Sequence, residues 1–340
     1  MSAIKGNLVL AGLAALLIFS ATASLGVGAH HVSLSDMLRS LQPLSSEDET
    51  TRSILFDIRA PRVVLAILVG GALAMAGTIL QGLFRNPIVD PGFIGLSSGA
   101  SFGASLYIVF SIHVPLIGNL FGARALPVAA FAGAIVACLI VSRIASVRGR
   151  TAITILLLAG VAITALAEAG TGILSFLATD AQLRSLTFWR LGSLGGATWV
   201  LLGSIIFFFL FPLPFLPYLS RGLDLFSLGE REAGHLGLST EVFKNLAMAV
   251  TCLLVGAAVS ASGTIAFVGL VVPHILRLAF HPSHRFLLPA SCLLGSSLML
   301  LADLVARTMA APTEIPIGIL TALLGAPFFL WLFRRQRLEA

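Results

Sequence analysis

The sequence predicts an all-α integral membrane protein that crosses a bilayer about ten times. Hydrophobic residues make up 57% of the 340 residues, charged residues only 11%, and the mean hydropathy is +1.01. Soluble domains contain about one quarter charged residues, so this composition excludes a soluble fold. The apolar residues also form runs of roughly 20, the length that a helix needs to span a bilayer. We therefore predict a single transmembrane domain over residues 1–340.

The predicted spans follow one another with short connections. The first ends in small residues like a signal peptide, but its apolar part is long and further spans follow, so we interpret it as a helix. The eighth is short and follows Ser262-Gly263-Thr264, which predicts a broken or re-entrant helix. The ten predicted spans are 7–28, 61–83, 93–110, 126–145, 152–177, 198–219, 242–261, 269–280, 287–307 and 316–333.

Small residues are concentrated in the second and third spans. They include Gly70, Gly71 and Gly77 in the second span, and Gly99 and Gly103 in the third. Lipid provides no hydrophobic force between helices, so close backbone approach at small residues is a main source of helix association. This pattern predicts tight helix packing around these two spans.

The lysines and arginines lie mainly between the spans, and most of them fall on one side of the membrane. The positive-inside rule makes that side cytoplasmic, with both termini on it. The net charge of +6 comes from residues scattered over many loops, which argues against a nucleic-acid surface. Arg59, Arg62 and Arg307 lie on the opposite side and need a separate explanation.

The longest predicted cytoplasmic loop, about residues 220–240, mixes charges with leucine and alanine. Its stretch from Asp224 to Leu238 contains Gly229 and Gly237, so we predict one or two short amphipathic helices separated by a glycine turn. Two interpretations are open at this point. The loop is either a solvated connector or a docking element for a cytoplasmic partner.

The chain has no motif for catalysis or for an energy source. A phosphate-binding loop needs a glycine-rich turn followed by lysine, but Lys5 and Lys244 follow no such turn. The three cysteines, Cys138, Cys252 and Cys292, lie in apolar runs without the paired spacing of a metal site. We therefore expect no catalytic residues, no metal and no cofactor in this chain. If it pumps, another subunit hydrolyses ATP.

Several long motifs resemble the FecCD family of ABC importer permeases, in the family's order and over nearly the whole chain. They are Arg59-Ala60-Pro61-Arg62; Leu80 to Pro87 with Asp90 to Gly95; Gly263 to Arg277; Ala302 to Arg307; Glu314 to Gly318; and Gly325-Ala326-Pro327. The resemblance implies the type II ABC importer permease fold and a homodimer. It also implies two cytoplasmic ABC ATPase subunits that bind ATP and magnesium, a periplasmic substrate-binding protein, and the bacterial inner membrane.

The resemblance also implies roles for particular residues. Arg59, Arg62 and Arg307 would receive acidic residues of the binding protein, because an arginine pairs with a carboxylate through two parallel hydrogen bonds. The alternative for these arginines is snorkelling at helix ends. Asn86, Pro87 and Ile88 would form part of the cytoplasmic gate. The residues that would rest on the ATPase are Leu228, Gly229, Glu230, Glu232, Ala233, Leu236 and Gly237.

Four further polar residues lie in or near the spans. Glu168 lies near the middle of the fifth span, where an ionisable residue is costly. It either faces the transport pathway or is protonated and bonded to Thr164 or a neighbouring helix. His274 and Arg277 belong to the family motif, which favours a structural or gating role. Asp303 precedes Arg307 by four residues and is expected to pair with it.

The cargo is predicted from a short stretch around Trp189 and Arg190, which resembles haem-importing members of the family. An aromatic ring beside an arginine suits a flat anionic porphyrin. The alternative for Trp189 is an interfacial anchor. Haem is our first prediction, a ferric siderophore the second and cobalamin the third. A secondary transporter that uses Glu168 for ion coupling is the competing class; an intramembrane enzyme lacks a recognisable nucleophile.

Overall fold

The computed structural model describes residues 3–28, 32–33, 49–111, 115–147, 149–280 and 283–339, and is almost entirely helical. The α-helices are α1 Ala3–Gly26, α2 Glu49–Ser53, α3 Ala60–Leu83, α4 Leu96–Phe110, α5 Pro115–Phe121, α6 Ala125–Ala145, α7 Ile153–Leu177, α8 Asp180–Leu191, α9 Trp199–Leu210, α10 Leu216–Phe226, α11 Glu230–His235, α12 Thr240–Ser262, α13 Val268–Phe280, α14 His284–Thr308 and α15 Ile317–Glu339. Two short antiparallel strands, β1 Ser146–Val147 and β2 Arg150–Thr151, join α6 to α7.

The predicted all-α membrane fold is confirmed. Within the described ranges, seven helical stretches are long and apolar enough to cross a membrane, by length and composition. Three shorter apolar helices, Leu96–Phe110, Val268–Phe280 and Ile317–Leu330, accompany them. Each of the ten predicted spans corresponds to one of these stretches. The protein is therefore a multi-pass membrane protein.

Helix α3 is the centre of the bundle and packs mainly against α14, α12 and α13. A Cβ atom added to Gly70 would lie 2.3 Å from the carbonyl oxygen of Gly295, and one added to Gly77 would lie 1.7 Å from that of Gly269. Real Cβ atoms do not approach so closely, so α14 and α13 contact the α3 backbone directly. The predicted close packing at these glycines is confirmed.

A second close contact joins α4 and α6. A Cβ atom on Gly99 would lie 2.5 Å from the Ala137 Cβ, and one on Gly103 would lie 2.3 Å from the Ala129 carbonyl oxygen. The contact is reciprocal, since Gly133 of α6 lies equally close to Gly99. Both glycine clusters of the sequence therefore lie where two helix backbones meet.

The second span begins earlier than the sequence predicted. The helix starts at Glu49, passes through a π-helical turn at Ile54–Arg59 and continues as α3, so the predicted start at residue 61 is wrong. Pro61 has no backbone N–H and its ring crowds the carbonyl four residues earlier, which favours a wider turn at this point. The Trp199 indole nitrogen donates to the Phe56 carbonyl in this turn at 2.8 Å.

The sixth span is broken. A single helix over 198–219 was predicted, but α9 ends at Leu210 and a 3₁₀ turn at Leu213–Phe215 precedes α10. Pro212 and Pro214 explain the break, because neither can donate a helical hydrogen bond. The eighth span was predicted as a broken or re-entrant helix, but α13 is one continuous helix. The non-helical residues lie before it, where α12 ends at Ser262 and Gly263 has a φ of +71°. The re-entrant alternative stays a prediction.

The bundle has two ends, which we name by their residues. The arginine end carries Arg59, Arg62 and Arg307, and the last turn of α1 lies beside Arg59. The loop end carries residues 227–239 and the β1–β2 turn. Helix α1 ends at the arginine end, where Arg59 bonds the carbonyls of Leu25 and Gly26, so it begins toward the loop end.

Candidate docking surfaces and transport cavity

Arg62 is the centre of a charged cluster at the arginine end. Its Nε and Nη2 atoms donate to Asp303 at 2.9–3.1 Å, and Nη1 and Nη2 donate to Glu314 at 2.7 and 2.9 Å. The side chain of Asp303 is 2% exposed and that of Glu314 is 44% exposed. Arg62 is therefore saturated by two carboxylates, one inside the bundle and one at its surface.

Arg59 and Arg307 bind the end of α1. The Arg59 Nη1 atom donates to the carbonyls of Leu25 and Gly26 at 2.5 and 3.1 Å. The Arg307 Nη2 atom donates to the Ser24 carbonyl and, at 2.9 Å, to the Ser24 hydroxyl. Asp303 and Arg307 also form the predicted pair on one helix, at 3.9 Å. The structure thus brings the three predicted docking arginines together, but each is largely buried and engaged within this chain.

Glu314 is the accessible member of the cluster. Its hydrogen bonds from Arg62 hold the pKa of this carboxyl below its usual range. Water competes for the half-exposed carboxylate of Glu314 but not for the buried Arg62 guanidinium, so this pair exchanges more easily than the enclosed pair with Asp303. An acidic side chain arriving from outside could therefore take the place of Glu314, whereas Asp303 is enclosed.

A polar cavity of about 490 Å³ lies between α4, α7 and α8. The Glu168 and Arg190 side chains line it and form an ion pair, Oε2 to Nη2, at 2.7 Å. Of the interpretations of Glu168, a bond to a neighbouring helix is observed, since Arg190 belongs to α8. The Thr164 hydroxyl also lines the cavity but has no hydrogen-bond partner among the described residues, so it does not bond Glu168. The remaining lining residues are Gly92, Ser97, Ser98, Ser101, Ser175, Leu186, Thr187, Leu191 and Thr264.

Trp189 does not share this cavity with Arg190. Its side chain lines two other openings toward α6, together with Leu126 and Ser193. Helix α8 separates the two residues, because neighbours on a helix point in different directions. The predicted joint site of Trp189 and Arg190 is therefore wrong, while Glu168 and Arg190 form one site that the sequence did not predict as a pair.

The turn after α3 lies at the loop end and is exposed. Asn86 folds it locally, since its Oδ1 atom accepts from the Ile88 backbone at 3.0 Å. Ile88 is 38% exposed, although it is a large apolar residue. The Arg85 guanidinium lies near Gly229 of the neighbouring loop. The predicted gate residues Asn86, Pro87 and Ile88 therefore lie directly beside the predicted ATPase-docking segment.

The segment 227–239 forms a short helix between two glycine turns, as predicted. Gly229 and Gly237 have φ values of +124° and +89°, which side-chain-bearing residues rarely adopt. Ala233 is fully buried and anchors α11 to the protein, while Leu228 and Leu236 are 63% and 59% exposed. Two exposed leucines beside Glu230, Arg231 and Glu232 form an apolar surface with a charged rim, which is the usual anatomy of a protein interface.

His274 and Arg277 lie on α13, which packs against α3. The Arg277 guanidinium donates to the Gln81 side chain, and the Gln81 amide donates to the Gly269 and Leu270 carbonyls at 3.4 and 3.3 Å. These bonds satisfy backbone groups where α13 begins. His274 is buried against the rings of Phe328 and Phe329. Both residues hold helices together, which agrees with the structural role expected for Arg277.

Three important contacts were not predicted. Glu314 was noted only within a motif. Lys244 is buried and bonds Glu230 and Glu241, and Asp224 binds the backbone and the ring of His284 at the start of α14. Lys244 carried a usable signal, since a lysine inside an apolar span requires an acidic partner. The Thr179–Gln182 capping box likewise marks the start of α8, a helix that was not predicted from the sequence.

The bundle with its polar cavity and two charged ends is the architecture of a membrane permease. The FecCD transport family matches residues 16–335. This match covers most of the chain, and the chain therefore belongs to the FecCD transport family. Membership confirms the resemblance inferred from the motifs: the protein is a permease of an ABC transporter and not an enzyme, and the family implies an ATPase partner.

Individual relatives agree with this assignment. The chain is 43% identical to the hemin transport system permease protein HmuU of Yersinia pestis, over 98% of this chain and 97% of that protein. It is 39% identical to the vitamin B12 import system permease protein BtuC of Shigella boydii, over 96% and 94%. A solved metal-chelate type ABC transporter in an inward-facing conformation superposes with a TM-score of 0.84 and 34% identity, over 96% of this chain and 99% of that one.

Proposed function

We propose that this chain is the transmembrane permease subunit of an importer for an iron chelate, and that its cargo is haem. The observation that carries the proposal is the similarity to the hemin permease of Yersinia pestis over almost the full length of both chains. The polar cavity adds support from chemistry. Arg190 offers a guanidinium to an anionic group, and haem carries two carboxylates on a flat ring.

The Glu168–Arg190 pair fits a transient cargo contact. Both side chains are more than 40% exposed in the cavity, so their ion pair is weak and exchangeable. A haem carboxylate entering the cavity would replace Glu168 on the guanidinium of Arg190.

The complete importer would contain two copies of this chain, two cytoplasmic ABC ATPase subunits that bind ATP and magnesium, and a periplasmic binding protein. It would lie in the bacterial inner membrane with the loop end and both termini in the cytoplasm. The exposed leucines of 227–239 support docking of the ATPase there. Asn86, Pro87 and Ile88 would form part of the gate, and the approach of the preceding residue, Arg85, to Gly229 supports a link between gate and ATPase.

Arg59, Arg62 and Arg307 would receive the binding protein at the arginine end. Their internal partners restrict how this occurs, because only Glu314 among the cluster's carboxylates is accessible. We infer that an acidic residue of the binding protein exchanges with Glu314 on Arg62. Arg59 and Arg307 would contribute by their charge and by holding the end of α1.

A ferric siderophore is the second candidate cargo, and cobalamin the third. The vitamin B12 permease relatives keep cobalamin open, since they match nearly as much of the chain. Membership of an ABC transporter family removes the ion-coupled secondary transporter from the alternatives.

Transport by the reconstituted importer tests the cargo. The permease, its ATPase and its binding protein are placed in proteoliposomes, and ATP-dependent uptake of haem, a ferric siderophore and cobalamin is measured. We expect haem uptake alone. Arg190→Gln should lower it about tenfold or more, whereas the matched variant Glu168→Gln, which frees Arg190, should retain it. Uptake of cobalamin without haem, or unchanged haem uptake by Arg190→Gln, contradicts the proposal.

A further inference from the structure

Lys244 is an unusual residue for its position. It lies in the second turn of α12, and its side chain is only 2% exposed. Its ammonium group donates to Glu230 at 2.6 Å, to Glu241 at 2.7 Å and to the Thr151 carbonyl at 2.7 Å. An ammonium group has three hydrogens, and all three are used. A buried charge held this completely fixes the relative positions of its partners.

The three partners of Lys244 belong to different parts of the chain. Glu230 is the first residue of α11, Glu241 belongs to α12 itself, and Thr151 ends β2 just before α7 begins. Thr151 makes two further hydrogen bonds: its backbone N–H donates to Glu241 at 2.8 Å, and its hydroxyl donates to the Asn245 side-chain oxygen at 3.3 Å. Lys244 therefore joins α11 to the start of α7.

Helix α7 connects this junction to the polar cavity. It is continuous from Ile153 to Leu177 and carries Thr164 and Glu168 into the cavity wall. An α-helix transmits displacement along its axis because its backbone hydrogen bonds run from turn to turn. A movement of α11 that pulls on Lys244 would thus shift the cavity wall that carries Glu168.

We propose that Lys244 is a positioning residue that makes α11 and α7 move together, so that motion imposed at the loop end reaches the polar cavity. The inference rests on the proposed role of segment 227–239 as the ATPase-docking element. A buried ion pair often adds little net stability relative to apolar packing, whereas its directional bonds specify geometry. Glu230 and Glu241 are 41% and 32% exposed, so only the ammonium group is enclosed.

The experiment measures coupling and docking separately in the reconstituted importer. One assay gives haem uptake per ATP hydrolysed, and the other gives the amount of ATPase that co-purifies with the permease. Lys244→Met keeps a similar side-chain length and removes all three donors. Glu230→Ala cuts the junction at its half-exposed carboxylate and so guards against a folding defect of the first variant.

The matched control is Val242→Ala, two residues before Lys244, because this apolar side chain is 61% exposed and takes no part in the hydrogen bonds of the junction. We expect uptake per ATP to fall about tenfold or more in Lys244→Met and Glu230→Ala, and to stay within about twofold of the unaltered protein in Val242→Ala. ATPase co-purification should persist in Lys244→Met.

Two results overturn the inference while leaving the proposed function intact. One is normal uptake per ATP in Glu230→Ala or in folded Lys244→Met with the ATPase bound; the other is an equal loss in Val242→Ala, which would indicate a local stability effect. The failure of the docking assignment is recognised differently. Replacement of both exposed leucines, Leu228 and Leu236, would then leave ATPase co-purification unchanged.

Discussion

The two ends of the bundle are both proposed docking surfaces, yet they are built in opposite ways. At the arginine end, Arg62 and Arg307 are largely buried and bonded within the chain, and of their two carboxylate neighbours Asp303 is enclosed and Glu314 exposed. At the loop end, Leu228 and Leu236 are more than half exposed on either side of α11, which one buried alanine anchors. The arginine end thus keeps its charged binding groups buried, whereas the loop end exposes its apolar binding groups.

This difference indicates two kinds of association. A partner at the arginine end must displace a carboxylate from Arg62, so little free energy is gained by exchanging one ion pair for another, and such contacts form and break readily. A partner at the loop end gains the burial of apolar area without displacing anything. The two surfaces would thus suit a binding protein that associates transiently and an ATPase that remains bound.

The largest effect should come from Asp303, which decides whether the arginine cluster is structural. Asp303→Ala leaves the buried guanidinium of Arg62 with half its partners and removes the carboxylate that pairs with Arg307. Removing one member of a buried pair typically costs about 3–5 kcal/mol. We therefore expect a large loss of thermal stability of the purified permease, measured by unfolding in detergent.

Asp303→Asn is the matched control, because it keeps an oxygen acceptor of the same shape and should lose less stability. If Asp303→Ala unfolds at the same temperature as the unaltered protein, the cluster is not structural and the contrast between the two ends disappears. The simultaneous charge reversal of Arg59, Arg62 and Arg307 would be a poor test of docking for the same reason: it would disrupt the fold.

The second effect tests the loop end. Leu228→Ala combined with Leu236→Ala should leave stability unchanged but weaken ATPase binding about a hundredfold, since burying each leucine contributes about 1.5–3 kcal/mol. Titration of the ATPase against permease in nanodiscs measures this. Leu158→Ala, at another exposed leucine in the second turn of α7, is the control. Unchanged affinity in the double variant would remove the apolar contribution from this surface.

The smallest expected effect tests the proposed exchange of carboxylates on Arg62 at the arginine end. Glu314→Gln weakens the internal competitor for Arg62, so the binding protein should dock up to about tenfold more tightly, and the gain should shrink with salt. Binding kinetics on immobilised permease measure both. A weaker interaction in this variant would mean that Glu314 itself contacts the partner.

The stability that the Arg62–Glu314 pair contributes depends on pH. The pKa of Glu314 is lowered by Arg62, so the pair contributes stability above the ordinary glutamate pKa and loses it as the pH falls through the lowered value. Glu314→Gln should therefore flatten the decline of thermal stability at acidic pH.

Much of the fold was predictable because a bilayer imposes a simple rule on length and polarity. Each of the ten predicted apolar runs corresponds to an apolar helical stretch among the described residues, and glycines such as Gly70 and Gly99 lie at the closest helix contacts. The errors lie where proline acts: Pro61 was taken as a helix start but lies inside a longer helix, and Pro212 breaks a span that looked continuous. Hydropathy is insensitive to both effects, since they concern single hydrogen bonds.

The sequence identified the site residues one by one but not, in most cases, which residues bond each other. Motifs identified Arg62 and Arg190, the position within a span identified Glu168, and helical spacing predicted the pair of Asp303 and Arg307. The contact of Arg62 with Glu314 joins residues 252 positions apart, and no local pattern encodes such a distance. Likewise, whether Trp189 faces the cavity depends on the rotation of α8, which its neighbours determine.

The π-helical turn before Arg59 has a consequence for how this protein tolerates change. Such a turn contains one residue more than an α-helical turn closing the same gap, so it absorbs a one-residue difference in chain length without rotating the helix below it. The membrane-spanning part of α3, with its glycine contacts to α13 and α14, is thereby insulated from insertions or deletions upstream. The approach to the bundle at the arginine end can therefore differ by one residue in length while the helix below it keeps its rotation.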